Sequence, residues 1–133
     1  VMVQKEVAQK FTAKVNDKEF SSLGIITDLM SIESRILFDV PPESFDPAPK
    51  VMSSILYIKK DMNKYLDKDF NKFLKACFVQ PRKKLSKNLT SIIDKDSISK
   101  IYKELNIDDN VRPHEVSSSL YSQMHTRVKD GRN

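Results

Sequence analysis

The residues of this sequence best suited to a chemical role form a basic cluster near its middle. Arg82, Lys83, Lys84 and Lys87 lie close together, and the apolar Leu85 stands among them. At 100° per residue, Lys83 and Lys87 are predicted to point directly away from the apolar face of a helix. Four cations on one exposed helix would suit the phosphates of a nucleic acid, which supply affinity without reading sequence. A solvated helix face explains the same charges, and the pattern alone leaves both interpretations open.

A second candidate is Phe45, which opens the segment Phe-Asp-Pro-Ala-Pro-Lys that ends at Lys50. A phenylalanine held by a proline-stiffened loop could stack on a nucleic acid base. A hydrophobic plug that closes the end of a sheet is an equally good interpretation. Cys77 lies on an apolar stripe and is interpreted as a packing residue. His114 and His125 lack the spacing of metal ligands, so no metal site is predicted.

Composition limits the classes of protein to consider. The chain has 133 residues, 23 Lys+Arg against 18 Asp+Glu, and a formal net charge of +5, a balance that permits an acidic partner such as RNA. One cysteine excludes an internal disulfide framework and fits a reducing compartment. We find no signal peptide pattern and no apolar run near the roughly 20 residues of a membrane helix. The expectation is a soluble, cytoplasmic protein without a membrane partner.

The first part of the chain is predicted to mix helices and strands. Helices are expected over residues 6–14 and 23–30, and strands over 35–40 and 51–59. The prolines between the two strands predict a rigid loop, because proline cannot donate to a strand ladder. Residues 1–3 are interpreted as the end of a buried strand.

The second part is predicted to be helical after a charged linker over residues 60–68. Phe70, Phe73, Leu74, Cys77 and Phe78 form an amphipathic stripe. A second helix should start at Pro81 and bury residues as far as Ile93. A third should be capped by Asp96 or Ser97, and a fourth by Ser117. The predicted fold class is therefore α+β, with a first domain over 1–60 and an all-α domain over 61–133.

Two segments carry a resemblance to a known family. Residues 40–53, VPPESFDPAPKVMS, closely resemble the VPPxxFxPxPKVxS segment of ribosomal RNA adenine N6,N6-dimethyltransferases, the KsgA family. QKEVA at 4–8, FVQPRKKLSKNL at 78–89 and RPHEVSSSLYSQM at 112–124 are similar to further segments of that family in the same order. Met52 departs from the usual aspartate, while Ser22, Pro81 and Lys87 stand where the family commonly has arginine.

The resemblance implies an enzyme of which this chain is a C-terminal portion. The fold would be the remnant of a Rossmann-like methyltransferase sheet followed by a helical rRNA-binding domain. The intact enzyme would transfer methyl groups from S-adenosylmethionine to two adjacent adenosines near the 3′ end of small-subunit rRNA, in the immature small ribosomal subunit. The family's glycine-rich cofactor loop and N-L-P-Y tetrad precede QKEVA and are absent from this sequence. We therefore expect no cofactor bound to this chain, and no activity from it alone.

The resemblance also assigns roles to residues. Phe45 would stack on the flipped target adenine, and Lys50 would contact RNA. The basic cluster of Arg82, Lys83, Lys84 and Lys87 would grip the rRNA. Two alternatives remain open: a stand-alone helical RNA-binding module, and a protein-interaction domain whose basic face meets an acidic protein. An orphaned sheet edge also predicts self-association.

Overall fold

The computed structural model describes residues 1–45, 47, 50–61 and 67–130. Within these ranges, a three-stranded antiparallel sheet is combined with six α-helices, in agreement with the mixed class predicted. The elements are β1 (Met2–Gln4), α1 (Lys5–Thr12), α2 (Ser22–Met30), β2 (Ser31–Val40), β3 (Ser53–Lys60), α3 (Lys68–Cys77), α4 (Leu85–Leu89), α5 (Lys95–Leu105) and α6 (Ser118–Asp130). Short 3-10 turns occupy Pro42–Ser44 and Pro113–Glu115.

The last strand of the sheet lies between the first two. The strand order is β1-β3-β2, and β3 runs antiparallel to both neighbours. β1 and β2 are therefore parallel to each other, and α1 and α2 form the crossover between them. Burial alternates along the first half of β3, where Ser54 and Leu56 are buried on the face that α1 covers. One face of the sheet is thus a protein interior.

The opposite face of the sheet carries apolar side chains that nothing in the described chain covers. Met2 and Phe38 both pair with Ile55, so these three side chains share a face across three strands. Met2 is 51% exposed and Phe38 57% exposed, and Tyr57, two residues after Ile55, is 37% exposed. The predicted strand at the N-terminus is confirmed as β1, but the prediction that it is buried is wrong for this chain, because no element of the described residues covers its second face or its outer edge.

A polar contact ties the ends of the β2–β3 connection to the start of α1. The Ser54 hydroxyl donates to Asp39 across the strand pair at 2.7 Å, and the Lys5 ammonium lies 3.0 Å from the same carboxylate. The Ser54 hydrogen bond, with Lys5 after it, lowers the pKa of Asp39. The Lys5 amide also donates to the Met52 carbonyl at 2.9 Å. The loop over residues 41–52 is therefore anchored at its base on both strands.

The four later helices form a bundle that shares its core with α2. Ile25 of α2 is fully buried and belongs to the same hydrophobic cluster as Leu74, Leu85 and Tyr121 of the bundle. α2 packs against both α3 and α6. α2, a helix of the sheet's crossover, is thus also part of the helical bundle. The hydrophobic core therefore continues across the domain boundary proposed near residue 60. That boundary stays a prediction, and residues 62–66 of the predicted linker lie outside the described residues.

A glycine sets the distance between α1 and α2. A Cβ built at Gly24 would lie 3.2 Å from the carbonyl oxygens of Lys10 and Ala13 and 3.3 Å from the Phe20 ring. Two of these neighbours are backbone atoms at the end of α1, which cannot move aside as a flexible side chain can. A side chain at this position would therefore make tight contacts that require the end of α1 to shift, so packing favours glycine here.

Helix and strand positions follow the sequence predictions with informative exceptions. The amphipathic stripe of α3 and the Ser117 cap of α6 are confirmed, the latter by a hydrogen bond from the Leu120 amide to the Ser117 hydroxyl. α5 is capped by Asp94, whose carboxylate accepts from the Ser97 amide at 2.7 Å, and the predicted caps Asp96 and Ser97 lie inside the helix. No helix among the described residues is both long and apolar enough to cross a membrane.

Candidate nucleic-acid interface

The segment that follows α3 is a turn, whereas the sequence predicted a helix starting at Pro81. The Lys83 amide donates to the Gln80 carbonyl at 3.0 Å, which closes a turn with Pro81 at its second position. Proline is favoured at that position because its fixed φ suits the first central residue of a β-turn. Lys84 is extended, and α4 begins at Leu85. The prediction that Lys83 and Lys87 lie on one helix is therefore wrong, and Ile93, which is partly buried against the core, also lies beyond the end of α4.

The turn is held in place by the side-chain amide of Asn88. Its oxygen accepts from the Gln80 amide at 2.8 Å, and its nitrogen donates to the carbonyls of Gln80 and Lys84, both at 3.1 Å. Asn88 is 6% exposed, so these bonds satisfy polar groups that would otherwise be buried without partners. Asn88 thus fixes the backbone that carries Arg82 and Lys83.

A second connection brings a distant cation to the same place. The Leu85 amide donates to the Val111 carbonyl at 2.8 Å, so the loop before the Pro113–Glu115 turn lies against the start of α4. The Glu115 carboxylate accepts from the Arg112 amide at 2.8 Å and holds the backbone of that residue. Arg112 therefore joins a cluster that is some 25 to 30 residues earlier in the chain.

These residues surround a surface groove of about 520 Å³, called here the basic groove. It is lined by Arg82, Lys83, Lys84, Lys87, Asn110 and Arg112. No ion pair involves any of the five cations within the part of the chain that the structure describes. The hydrogen bond and positive charge of Lys83, with a smaller effect of desolvation, lower the pKa of Lys87. Such a set of unneutralised cations is suited to binding an anion such as a phosphate.

The other predicted site residues lie apart from this groove. Phe45 is partly buried in the 41–52 loop, where its amide donates to the Pro42 carbonyl at 3.1 Å, and Lys50 is exposed in the same loop. Asp46, Ala48 and Pro49 lie outside the described residues. The structure thus places one predicted site on the bundle and the other at the end of the β2–β3 pair.

The remaining reactive residue types serve packing. Cys77 is fully buried, and burial raises the pKa of its thiol, so the reactive thiolate is disfavoured. The His125 ring lies 5.2 Å from that of Phe70 and 5.3 Å from that of Phe73. Among the described residues, no group of three or more His, Cys, Asp and Glu side chains could hold a metal ion.

Three residues of the interface were not predicted from the sequence to act there. Asn110 and Arg112 reach the groove through tertiary contact, for which a single sequence has no local signal. Asn88 was part of the basic segment but received no role. A polar residue between Leu85 and Leu89 on a buried face was the available signal, because a buried amide requires partners.

The antiparallel sheet, the helical bundle and the basic groove define a mixed α/β protein with a surface groove lined by cations. Residues 1–130 match the family described as ribosomal RNA adenine dimethylase, and the chain belongs to that family. It is 82% identical over 133 residues to the ribosomal RNA small subunit methyltransferase A of Aliarcobacter butzleri, covering 100% of the chain and 50% of the relative. It is 45% identical to the protein of the same name from Sulfurimonas denitrificans, covering 98% and 49%.

Solved structures agree on the fold. A dimethyladenosine transferase from Plasmodium falciparum superposes with a TM-score of 0.73 at 20% identity, over 96% of this chain and 54% of the other. The 23S rRNA methyltransferase ErmE gives a TM-score of 0.63 at 17% identity, over 96% and 53%. The chain therefore spans about half the length of the relatives it matches.

The role of Asn88 can be tested by substitution. Asn88→Ala should lower the free energy of unfolding by about 1–3 kcal/mol, because it leaves buried backbone groups of the turn unpaired. Gln123→Ala, which removes an exposed amide from α6, should cost less than about 0.5 kcal/mol and is the control. Equal melting temperatures for the two variants in calorimetry would show that Asn88 does not hold the turn.

Proposed function

We propose that this chain is the RNA-binding C-terminal part of a ribosomal RNA adenine dimethyltransferase. The complete protein transfers methyl groups from S-adenosylmethionine to N6 of two adjacent adenosines near the 3′ end of small-subunit rRNA, in the cytoplasm and on the immature small subunit. Membership of the family, the names of the close relatives and the half-length coverage support this assignment. This chain supplies the rRNA-binding surface and the loop that contacts the target base.

The basic groove is the observation that carries the RNA-binding part of the proposal. Lys83 lies close enough to Lys87 to disfavour the charge of Lys87, and no carboxylate among the described residues forms an ion pair with either lysine. A phosphate between them would relieve this repulsion and would displace no existing ion pair. The arrangement therefore favours polyanion binding over a merely solvated helix face.

The cofactor is assigned to the half of the protein that this chain does not contain. Close approach of backbone to a cofactor usually needs glycine in a loop. Within the described residues the glycine is Gly24, and it lies inside α2, packed against the end of α1. The residues present therefore do not fit an S-adenosylmethionine site, and the chain alone is expected to be inactive.

Phe45 is proposed as the residue that stacks on the target adenine after the base leaves its stack. Its loop is anchored at the base by Asp39, Ser54 and Lys5, and the 3-10 turn at Pro42–Ser44 leads directly into it. A rigid support suits a stacking residue, because the ring must be in place when the base arrives. Lys50, exposed in the same loop, is proposed to contact the RNA backbone.

The contribution of the basic groove to RNA affinity can be tested with the double variant Lys83→Ala/Lys87→Ala. Each lost phosphate contact lowers the slope of log affinity against log salt by about 0.7–0.9, so the double variant should lose roughly 1.5. Affinity should fall alike for all RNA sequences, because phosphate contacts do not distinguish bases. Fluorescence anisotropy over a salt series measures both quantities, and Lys72→Ala/Lys75→Ala on exposed positions of α3 is the matched control. If the test and control pairs behave alike, the cluster is a solvated surface.

The role of Phe45 requires the complete enzyme. Phe45→Ala should reduce the rate of methyl transfer by more than it reduces RNA binding, because stacking contributes after the base has flipped. Phe45→Tyr should restore most of the rate by keeping the stacking ring. Single-turnover methylation and RNA binding, measured on the same preparations, separate the two effects. Equal losses of rate and binding in Phe45→Ala would contradict a stacking role.

The uncovered sheet face is proposed to pack against the missing half in the complete protein, and to drive self-association in this chain alone. Met2, Phe38 and Tyr57 present an apolar surface beside the free edge of β1. Light scattering should give an apparent mass that rises with concentration, and Phe38→Lys should shift it toward the monomer. Val79→Lys, at an exposed apolar residue elsewhere, should not. A constant monomer mass for the unmodified chain would refute the proposal.

A further inference from the structure

A second groove lies between α4 and α5, beside the basic groove. It has a volume of about 600 Å³, within the range of about 300–1,000 Å³ typical of ligand sites. Lys84, Lys87 and Lys95 contribute its cations, and Asp109 is its one carboxylate. None of these three lysines forms an ion pair within the described ranges. The groove therefore has an excess of free positive charge.

The two grooves share a wall. Lys84 and Lys87 line both grooves. A nucleic acid strand bound by these two lysines can therefore extend from Arg112 in the basic groove to Lys95 in the second groove. Lys95 is exposed at the first turn of α5, on the far side of the second groove. A continuous path of cations across a helix is the pattern expected for a polyanion that is longer than one phosphate.

Tyr102 gives the second groove a feature that a solvated surface lacks. Tyr102 is 2% exposed and lines the groove. Its hydroxyl is buried and has no hydrogen-bond partner among the described residues. Such atoms are rare in native proteins and call for an explanation. Burial, with smaller effects of Cys77 and Asp109, raises the pKa of Tyr102, so the hydroxyl keeps its proton and remains a donor.

We propose that the α4–α5 groove is a second RNA-backbone site, continuous with the basic groove, in which Lys95 pairs with a phosphate and the Tyr102 hydroxyl donates to a ribose oxygen. Asp109 supplies an acceptor for a ribose 2′-hydroxyl, which is both donor and acceptor and is what distinguishes RNA from DNA. An acidic protein segment could use the same lysines, but it has no ribose 2′-hydroxyl, so a preference for RNA over DNA distinguishes the two partners. The inference rests on the proposed RNA-binding function and extends it to a named surface.

The test compares four variants of the full chain by anisotropy over a salt series, with a labelled single-stranded RNA and a DNA of the same sequence. Lys95→Ala should lower the salt slope for RNA by about 0.7, which corresponds to about fivefold in affinity per decade of salt. Lys100→Ala, exposed on the same helix but outside the groove, should change neither quantity. Tyr102→Phe should weaken RNA binding and reduce the preference for RNA over DNA, while its melting temperature stays the same or rises.

The Lys83→Ala/Arg112→Ala variant separates this inference from the proposed function, because both residues line the basic groove alone. If that variant loses affinity while Lys95→Ala and Tyr102→Phe match Lys100→Ala, the second site is rejected and the basic groove stands. If the unmodified chain shows no salt-dependent RNA binding, both are rejected. Equal competition by polyglutamate and RNA for the Lys95-dependent binding would also overturn the RNA assignment.

Discussion

One buried amide holds the turn that carries two cations of the basic groove. The Asn88 side chain pairs with both backbone groups of Gln80 and with the Lys84 carbonyl, and so it joins a non-helical turn to the first turn of α4. These hydrogen bonds hold the proline-containing turn against α4. The positions of Arg82 and Lys83 follow from that constraint, and the Leu85–Val111 backbone bond then adds Arg112. A cluster of charges on the surface thus depends on a polar contact in the interior.

Periodicity predicted the elements well where an apolar stripe was long. The stripe through Phe73 and Cys77 located α3, and Ser117 located the start of α6, because burial and capping leave signals in the local sequence. The helix predicted from Pro81 was wrong because Pro81 fits a β-turn as well as a helix start. The hydrogen bonds of the Asn88 side chain favour the β-turn over the helix start. Asn88 is the fourth residue of α4, and hydrophobic periodicity gives no signal for a side chain that bonds to the backbone.

The site was predicted in part for the same reason. Arg82, Lys83, Lys84 and Lys87 are adjacent in sequence, so their clustering was visible, and the structure confirms that they line one groove. Arg112 and Asn110 come from a loop that folds against α4, and such proximity exists only in three dimensions. The role of each cation toward RNA stays a proposal, as does that of Phe45, because neither the fold nor family membership reports a contact with a bound ligand.

The two sheet edges differ in a way that indicates which one is a natural boundary. The pairing of β2 with β3 has register shifts near Ile32 and Leu37, and such irregularities bend a strand and hinder regular pairing along it. β1 pairs with β3 without a register shift over its three residues. An edge with bulges is built to face solvent, whereas a regular one accepts another strand. Of the two outer strands of this sheet, β1 is therefore the one better suited to regular pairing with another strand.

The close contact at Gly24 has a consequence for the geometry of the whole protein. α2 lies so close to α1 that a methyl group at Gly24 would make tight contacts with two carbonyl oxygens, and the same helix is buried in the bundle through Ile25. A side chain at this position would therefore require α1 or α2 to shift by a few tenths of an ångström or more. The separation between the basic groove and the Phe45 loop would change with it. Gly24 thus links the packing of the two crossover helices to the distance between two surfaces that lie far from it.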